Sequence, residues 1–146
     1  MNLHRRPATD ADLPFLLDLR RQTMDVHLIA SGIDVSDQAH RVRIADQFDV
    51  AEILLADGEP VGLLKLRRDA EVWDLIQLQL AAHLQGRGIG RAVLETVIAE
   101  ATAAGADVKL SVLKHNPARR LYERLGFQCI AEDDVEFFMR RSLRIR

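Results

Sequence analysis

The sequence predicts a mixed α/β protein, a central sheet flanked by helices. Segments whose apolar residues fall at every second position recur between segments whose apolar residues fall at helical spacing. Turn signals separate them, at Asp57-Gly58, at the run Gly86 to Gly90, at Gly105 and at Asn116-Pro117. The chain has 146 residues, of which 48% are hydrophobic and 29% charged. That is enough apolar material for one core, and it matches neither a disordered nor a collagen-like composition. A single compact domain spanning 1–146 is expected.

Each element has its own warrant. A first strand is expected over Leu3 to Arg6. Thr9 followed by Asp10-Ala11-Asp12 reads as a helix start, with acidic residues in the first turn. Leu13, Leu16, Leu17, Met24 and Leu28 then approximate one helical face, and Gly32 weakens continuity between Ile29 and Ser36. Val42, Ile44 and Phe48 suggest a second helix. Val50 to Ala56 and Val61 to Leu66 form a hairpin pair around Asp57-Gly58, with Pro60 where the second strand begins. Val72 to Leu80 places Val72, Asp74, Ile76, Leu78 and Leu80 on one face and Trp73, Leu75, Gln77 and Gln79 on the other. Both faces carry apolar groups, so this strand is expected to be central. Ile89, Val93, Leu94, Val97, Ile98 and Ala101 form a broad helical stripe that Gly105 can stop. Val108 to Leu113 alternates as a further strand. Asn116-Pro117 reads as an N-cap with proline in the first helical position, the helix running towards Arg124. Phe127 to Ala131 and Val135 to Met139 complete the strands.

Composition excludes several functions. The formal net charge of -2 supplies no global positive field to recruit nucleic acid or an acidic membrane. Cys129 is the only cysteine, so neither an internal disulfide nor a cysteine-rich zinc site is expected, and it reads as a small buried side chain. The five histidines lack metal-ligand spacing, so no metal is expected. The apolar stretches are too short and interrupted to span a bilayer, and the start carries no apolar run behind its basic residues. A cytoplasmic protein is expected.

The turn Gln85-Gly86-Arg87-Gly88-Ile89-Gly90 lies between a strand and an amphipathic helix, where backbone amides can cradle a phosphate at the helix N-terminus. It lacks the G-K-[ST] ending of a nucleotide-triphosphatase loop, and its glycines do not follow the G-x-G-x-x-G spacing of a dinucleotide site. ATP and NAD are therefore disfavoured.

The same residues resemble the Q/R-x-x-G-x-G/A motif of the GNAT N-acetyltransferase superfamily. Asn116 to Phe127, reading Asn-Pro-Ala-Arg-Arg-Leu-Tyr-Glu-Arg-Leu-Gly-Phe, is similar to the family's second signature, with the alanine one place closer to Asn116. The resemblance runs from about Val72 to Ala131 and implies the acyl-CoA N-acyltransferase fold. It also implies acetyl-CoA as cosubstrate and acetyl transfer to a primary amine by direct attack in a ternary complex.

A small-molecule amine is the leading acceptor. A peptide or protein amine, or a non-catalytic acetyl-CoA-binding regulatory module, is the alternative. Cofactor contacts are implied for Leu80, Gln85, Gly86, Arg87, Gly88, Ile89, Gly90, Arg91, Asn116, Arg119 and Tyr122. Tyr122 is the implied proton donor to the leaving thiolate, and the backbone N–H of Leu80 the implied oxyanion donor.

Some relatives place a glutamate base on the central strand. Gln77 and Gln79 stand in that neighbourhood here, and neutral amides cannot act as a base. Asp74 acting through water, His27, His83 or a water chain remain the proton routes. Trp73, Gln77 and Gln79 are the expected acceptor-side residues, with Asp34, Asp37 and Asp74 attracting a cation. The strand surface is open to homodimer formation, an arrangement common in the resembling family.

Overall fold

The computed structural model describes residues 2–143. Seven strands are hydrogen-bonded in the order β1-β2-β3-β4-β5-β7-β6. They are β1 (Leu3–Pro7), β2 (Ala51–Ala56), β3 (Glu59–Arg68), β4 (Val72–Leu80), β5 (Asp107–Leu113), β6 (Gln128–Glu132) and β7 (Glu136–Arg141). The helices are α1 (Leu13–Ala30), α2 (Asp37–Ala45), α3 (Ile89–Ala104) and α4 (Arg119–Arg124). β4 and β5 pair in parallel, whereas β1–β2, β2–β3, β5–β7 and β6–β7 are antiparallel. The sheet is therefore mixed, as its sequence pattern implies.

The chain forms two compact units, one of Met1–Lys65 with Gln77–Arg87 and the other of Leu66–Ile76 with Gly88–Arg146. In the first, α1 buries Leu16, Leu17, Leu19 and Leu28, and β2 and β3 bury Ile53, Leu63 and Leu64 completely. Each such side chain contributes about 1.5–3 kcal/mol on leaving water. The turn leading into α1 is closed by Asp12, whose carboxylate accepts the Thr9 N–H at 2.8 Å and two Arg6 hydrogen bonds at 2.9 and 2.8 Å. The Arg6 guanidinium holds the Asp12 carboxyl down at about 2.

α2 is capped by Ser36, whose Oγ accepts the Ala39 N–H at 3.2 Å. Its buried face differs from the expected one. Val42 is 65% exposed and Phe48 lies beyond the helix in a 3-10 turn, whereas Ile44 is buried as expected and His40 is buried with it. A buried histidine is tolerated because both ring nitrogens are bonded, Nδ1 by Arg20 Nε at 3.0 Å and Nε2 with Asp25 Oδ1 at 2.7 Å. β3 starts earlier than expected, so Pro60 lies inside it, where the β2–β3 register shifts between Leu54 and Leu55.

In the second unit, Val93, Leu94, Val97 and Ala101 of α3 are buried, as are Val108, Leu110 and Val112 of β5 and Met139 of β7. Two further expectations are corrected there. α4 begins at Arg119 rather than beside Pro117, because Asn116 Oδ1 accepts the Ala118 N–H at 2.9 Å and closes a separate turn first. Cys129 is exposed, because β6 is the end strand of the sheet and none of its residues is buried.

Candidate active site

The head of α3 lies in the second unit and is built without a cap. Gly88, at φ 78°, precedes the helix in the left-handed region and offers no side chain to the first-turn amides. Gly86 adopts φ 80°, and a Cβ added to either glycine would meet nothing within 4 Å, so the turn presents open backbone. The amides of Gly88, Ile89, Gly90 and Arg91 make no hydrogen bond among the described residues. Consecutive free N–H groups at the positive end of a 16-residue helix form an anion cradle. Arg87 beside it has no side-chain partner among the described residues, whereas the Arg91 guanidinium bonds Glu95 at 2.8 Å.

In the first unit, the end of β4 is organised around Leu80. Gly62 of β3 stands so close that a Cβ there would collide with the Gln79 carbonyl oxygen and press on Leu54 and Leu80 side chains at 3.1 Å. Gln79 O therefore points towards β3. Because the peptide is planar and trans, the Leu80 N–H points the opposite way. The β4–β5 ladder covers only Val72–Leu75, so from Ile76 onward that edge of β4 makes no ladder bond with β5. The Leu80 N–H is thus a directed donor outside that ladder. Leu80 itself is 9% exposed, and its carbonyl accepts from Gln85 Nε2 at 3.2 Å. Gln85 thereby ties the first residue of the glycine motif to the strand end.

The second signature folds locally in the second unit. Asn116 is committed through Oδ1 to its turn. The Arg119 guanidinium lies 4.0 Å above the Phe137 ring and 3.5 Å from Glu123, so its side chain is held by neighbouring residues. Tyr122 packs edge-on against Phe127, ring centroids 5.8 Å apart. Burial pushes its phenol up to about 12, and its hydroxyl makes no hydrogen bond among the described residues. It is a protonated donor with its hydrogen uncommitted.

On β4, Gln77 and Gln79 share a face, and the Oε1 atoms of both are buried without a partner. An amide oxygen left in that state costs about 1–3 kcal/mol unless a donor reaches it. Trp73, on the same face, is 7% exposed, and the Arg68 guanidinium lies 5.1 Å above its ring. Asp74 precedes Leu80 by six residues on one extended strand, a span of about 20 Å. That exceeds hydrogen-bond reach, which leaves Asp74 the water-mediated role expected of it and no direct one at Leu80. His27 lies in the last turn of α1, and His83 is exposed in the 3-10 turn Ala82–Leu84. Neither ring makes a side-chain hydrogen bond among the described residues.

Sequence reasoning missed two residues that shape this region. Gly62 was visible as a glycine interrupting an apolar strand, a mark of close backbone approach. Gln22 of α1, whose Oε1 accepts the Ala82 N–H at 2.7 Å, carries no local signal.

An uncapped anion cradle after a mixed-sheet strand, followed by a half-buried tyrosine on a short helix, defines an acyltransferase of the GNAT type. The sequence profile of the Acetyltransferase (GNAT) family matches residues 16–127, and the chain belongs to that family. No curated protein matches the chain in sequence. Among solved structures, an acetyltransferase from Thermus thermophilus is similar at 26% identity and a TM-score of 0.78, with 97% of each chain covered. A PaiA N-acetyltransferase from Thermoplasma acidophilum, solved in complex with coenzyme A, has 19% identity and a TM-score of 0.73, covering 97% of this chain and 99% of its own. The ribosomal-protein-S18-alanine N-acetyltransferase from Escherichia coli has 19% identity and a TM-score of 0.71, covering 99% of this chain and 96% of its own.

Proposed function

We propose that this protein transfers the acetyl group of acetyl-CoA to the primary amine of a small molecule, by direct attack in a ternary complex. The observation that carries the reading is the run of free amides from Gly88 to Arg91 on an uncapped helix head. It fits a pyrophosphate, because the N–H groups stand unbonded at the positive end of the helix and no side chain fills the space over Gly86 or Gly88. When bound, acetyl-CoA supplies an activated thioester carbonyl.

The remaining steps fall to the chain's own groups. The Leu80 N–H, fixed in direction by the Gly62 contact, hydrogen-bonds the carbonyl oxygen as negative charge grows on it. Tyr122, protonated throughout the neutral range, donates to the departing thiolate. The unpartnered oxygens of Gln77 and Gln79 accept N–H bonds from the amine and orient it. As neutral amides they cannot take its proton, which passes to water, and water in turn reprotonates Tyr122. Only the unprotonated amine attacks, so kcat/KM rises about tenfold per pH unit below the amine pKa, ordinarily near 10.

The test is a panel of primary amines, including short peptides with free N-termini, incubated with acetyl-CoA and followed by CoA thiol release and acceptor mass. Acetylation of a small amine above the peptides supports the proposal. A peptide preference moves the acceptor class, and CoA binding without acceptor-dependent turnover favours a regulatory module.

A further inference from the structure

The backbone leaving β4 is held at three successive residues. Leu80 O accepts from Gln85 Nε2 at 3.2 Å, Ala81 N–H donates to Val61 O at 2.8 Å, and Ala82 N–H donates to Gln22 Oε1 at 2.7 Å. Two of these ties come from flanking segments of chain, the glycine turn and β3. The third reaches across sixty positions from α1. Gln22 is exposed and could satisfy its amide in water, yet both ends are engaged. Its Nε2 donates to Asp18 Oδ2 at 3.1 Å, one helical turn back, which leaves the oxygen facing Ala82. Asp18 therefore selects the orientation of the amide, and the amide oxygen anchors the strand end.

We infer that Gln22 is a positioning residue for acyl transfer, holding the Leu80–Ala82 segment so that the Leu80 N–H keeps its direction. The inference rests on the acetyltransferase reading above. Gln22 contacts neither reactant in this account. Without its oxygen the Ala82 N–H loses its partner and the strand end can turn about the two remaining ties. Catalytic donors work only in a pre-set direction, and a misplacement of about 1 Å can cost on the order of a hundredfold in rate. The Gln22 amide bonds Asp18 and Ala82 and not the α3 amides that would hold the pyrophosphate, so cofactor affinity is spared.

The experiment compares the unaltered protein with Gln22→Leu, which lacks the acceptor, and with the double variant Asp18→Asn/Gln22→Glu. The double variant restores an acceptor oxygen at position 22 and lets the amide introduced at position 18 donate to the new carboxylate. Three quantities are read: kcat and KM for acetyl-CoA with the best amine of the panel, CoA affinity by calorimetry, and amide hydrogen exchange at Ala82. Gln22→Leu is expected to lower kcat about tenfold or more, with KM for acetyl-CoA and CoA affinity within about twofold. Ala82 exchange accelerates in that variant, and the double variant recovers most of both losses. Wild-type kcat in Gln22→Leu overturns the inference. So does a loss of kcat that the double variant does not recover, or one accompanied by unchanged Ala82 exchange. A wild-type protein that neither binds CoA nor consumes acetyl-CoA overturns the acetyltransferase reading itself, and the positioning role falls with it.

Discussion

Tyr122 holds its proton more tightly than an ordinary tyrosine, because the protein around its hydroxyl shields it from the water that a charged phenolate needs. With its value at about 12, against an ordinary 10.0, the hydroxyl is a donor at every pH below that. Tyr122→Phe keeps the ring and its edge contact with Phe127 and removes only the donor. It should lower kcat by about a hundredfold or more while leaving CoA affinity within about twofold. Equal kcat values for both proteins at saturating acetyl-CoA would remove the assignment. This residue was legible because it belongs to a local motif whose spacing survives in the sequence. Trp73 and Cys129 were not legible in the same way. Alternation along a strand says which face a side chain occupies, but not that Arg68 covers that face or that β6 ends the sheet.

At the scale of elements, α2 shows where periodicity stops being informative. Its apolar spacing favoured Val42, Ile44 and Phe48, whereas of these the helix turns only Ile44 inward, with His40 beside it. No sequence pattern reveals that Arg20 and Asp25 of α1 are placed to bond a buried imidazole. The helix also ends on a side chain from another element. Lys65 of β3, 1% exposed, donates to the carbonyls of Arg43, Ile44 and Asp46 at 3.0, 2.9 and 2.5 Å. These include last-turn carbonyls with no partner inside the helix, so the ammonium serves as its C-terminal cap. Burial nonetheless lowers Lys65 from 10.5 to about 8. Between those values the native lysine has released a proton that the unfolded chain retains, so its linkage contribution to stability rises with pH through that window. The difference in unfolding free energy between wild type and Lys65→Met should therefore grow by about 3 kcal/mol from pH 7 to pH 11. Chemical denaturation at several pH values measures it, and a flat difference would show that Lys65 titrates normally.

For the molecule as a whole, charge sets a problem that the local turn has to solve. A net charge of -2 does not favour a polyanionic cosubstrate at long range. Attraction must come from the α3 amides and from cations beside them, and the two nearby arginines are not equivalent. Arg87 has no side-chain partner among the described residues, while Arg91 is already paired with Glu95. The sequence showed both arginines next to the glycines, and only the fold distinguishes the free guanidinium from the engaged one. Arg87→Ala should therefore weaken CoA binding by about three- to tenfold at low salt, and Arg91→Ala by less. Because Arg87 is exposed, its contribution should fade as salt shortens the Debye length from about 10 Å at 0.1 M to about 3 Å at 1 M. Calorimetric titration of CoA at both salt concentrations tests this directly. The wild-type and Arg87→Ala affinities should converge at high salt, while the amide cradle, closer to its anion and less screened, retains binding in both. Parallel salt dependence in the two proteins would mean that Arg87 does not face the cosubstrate.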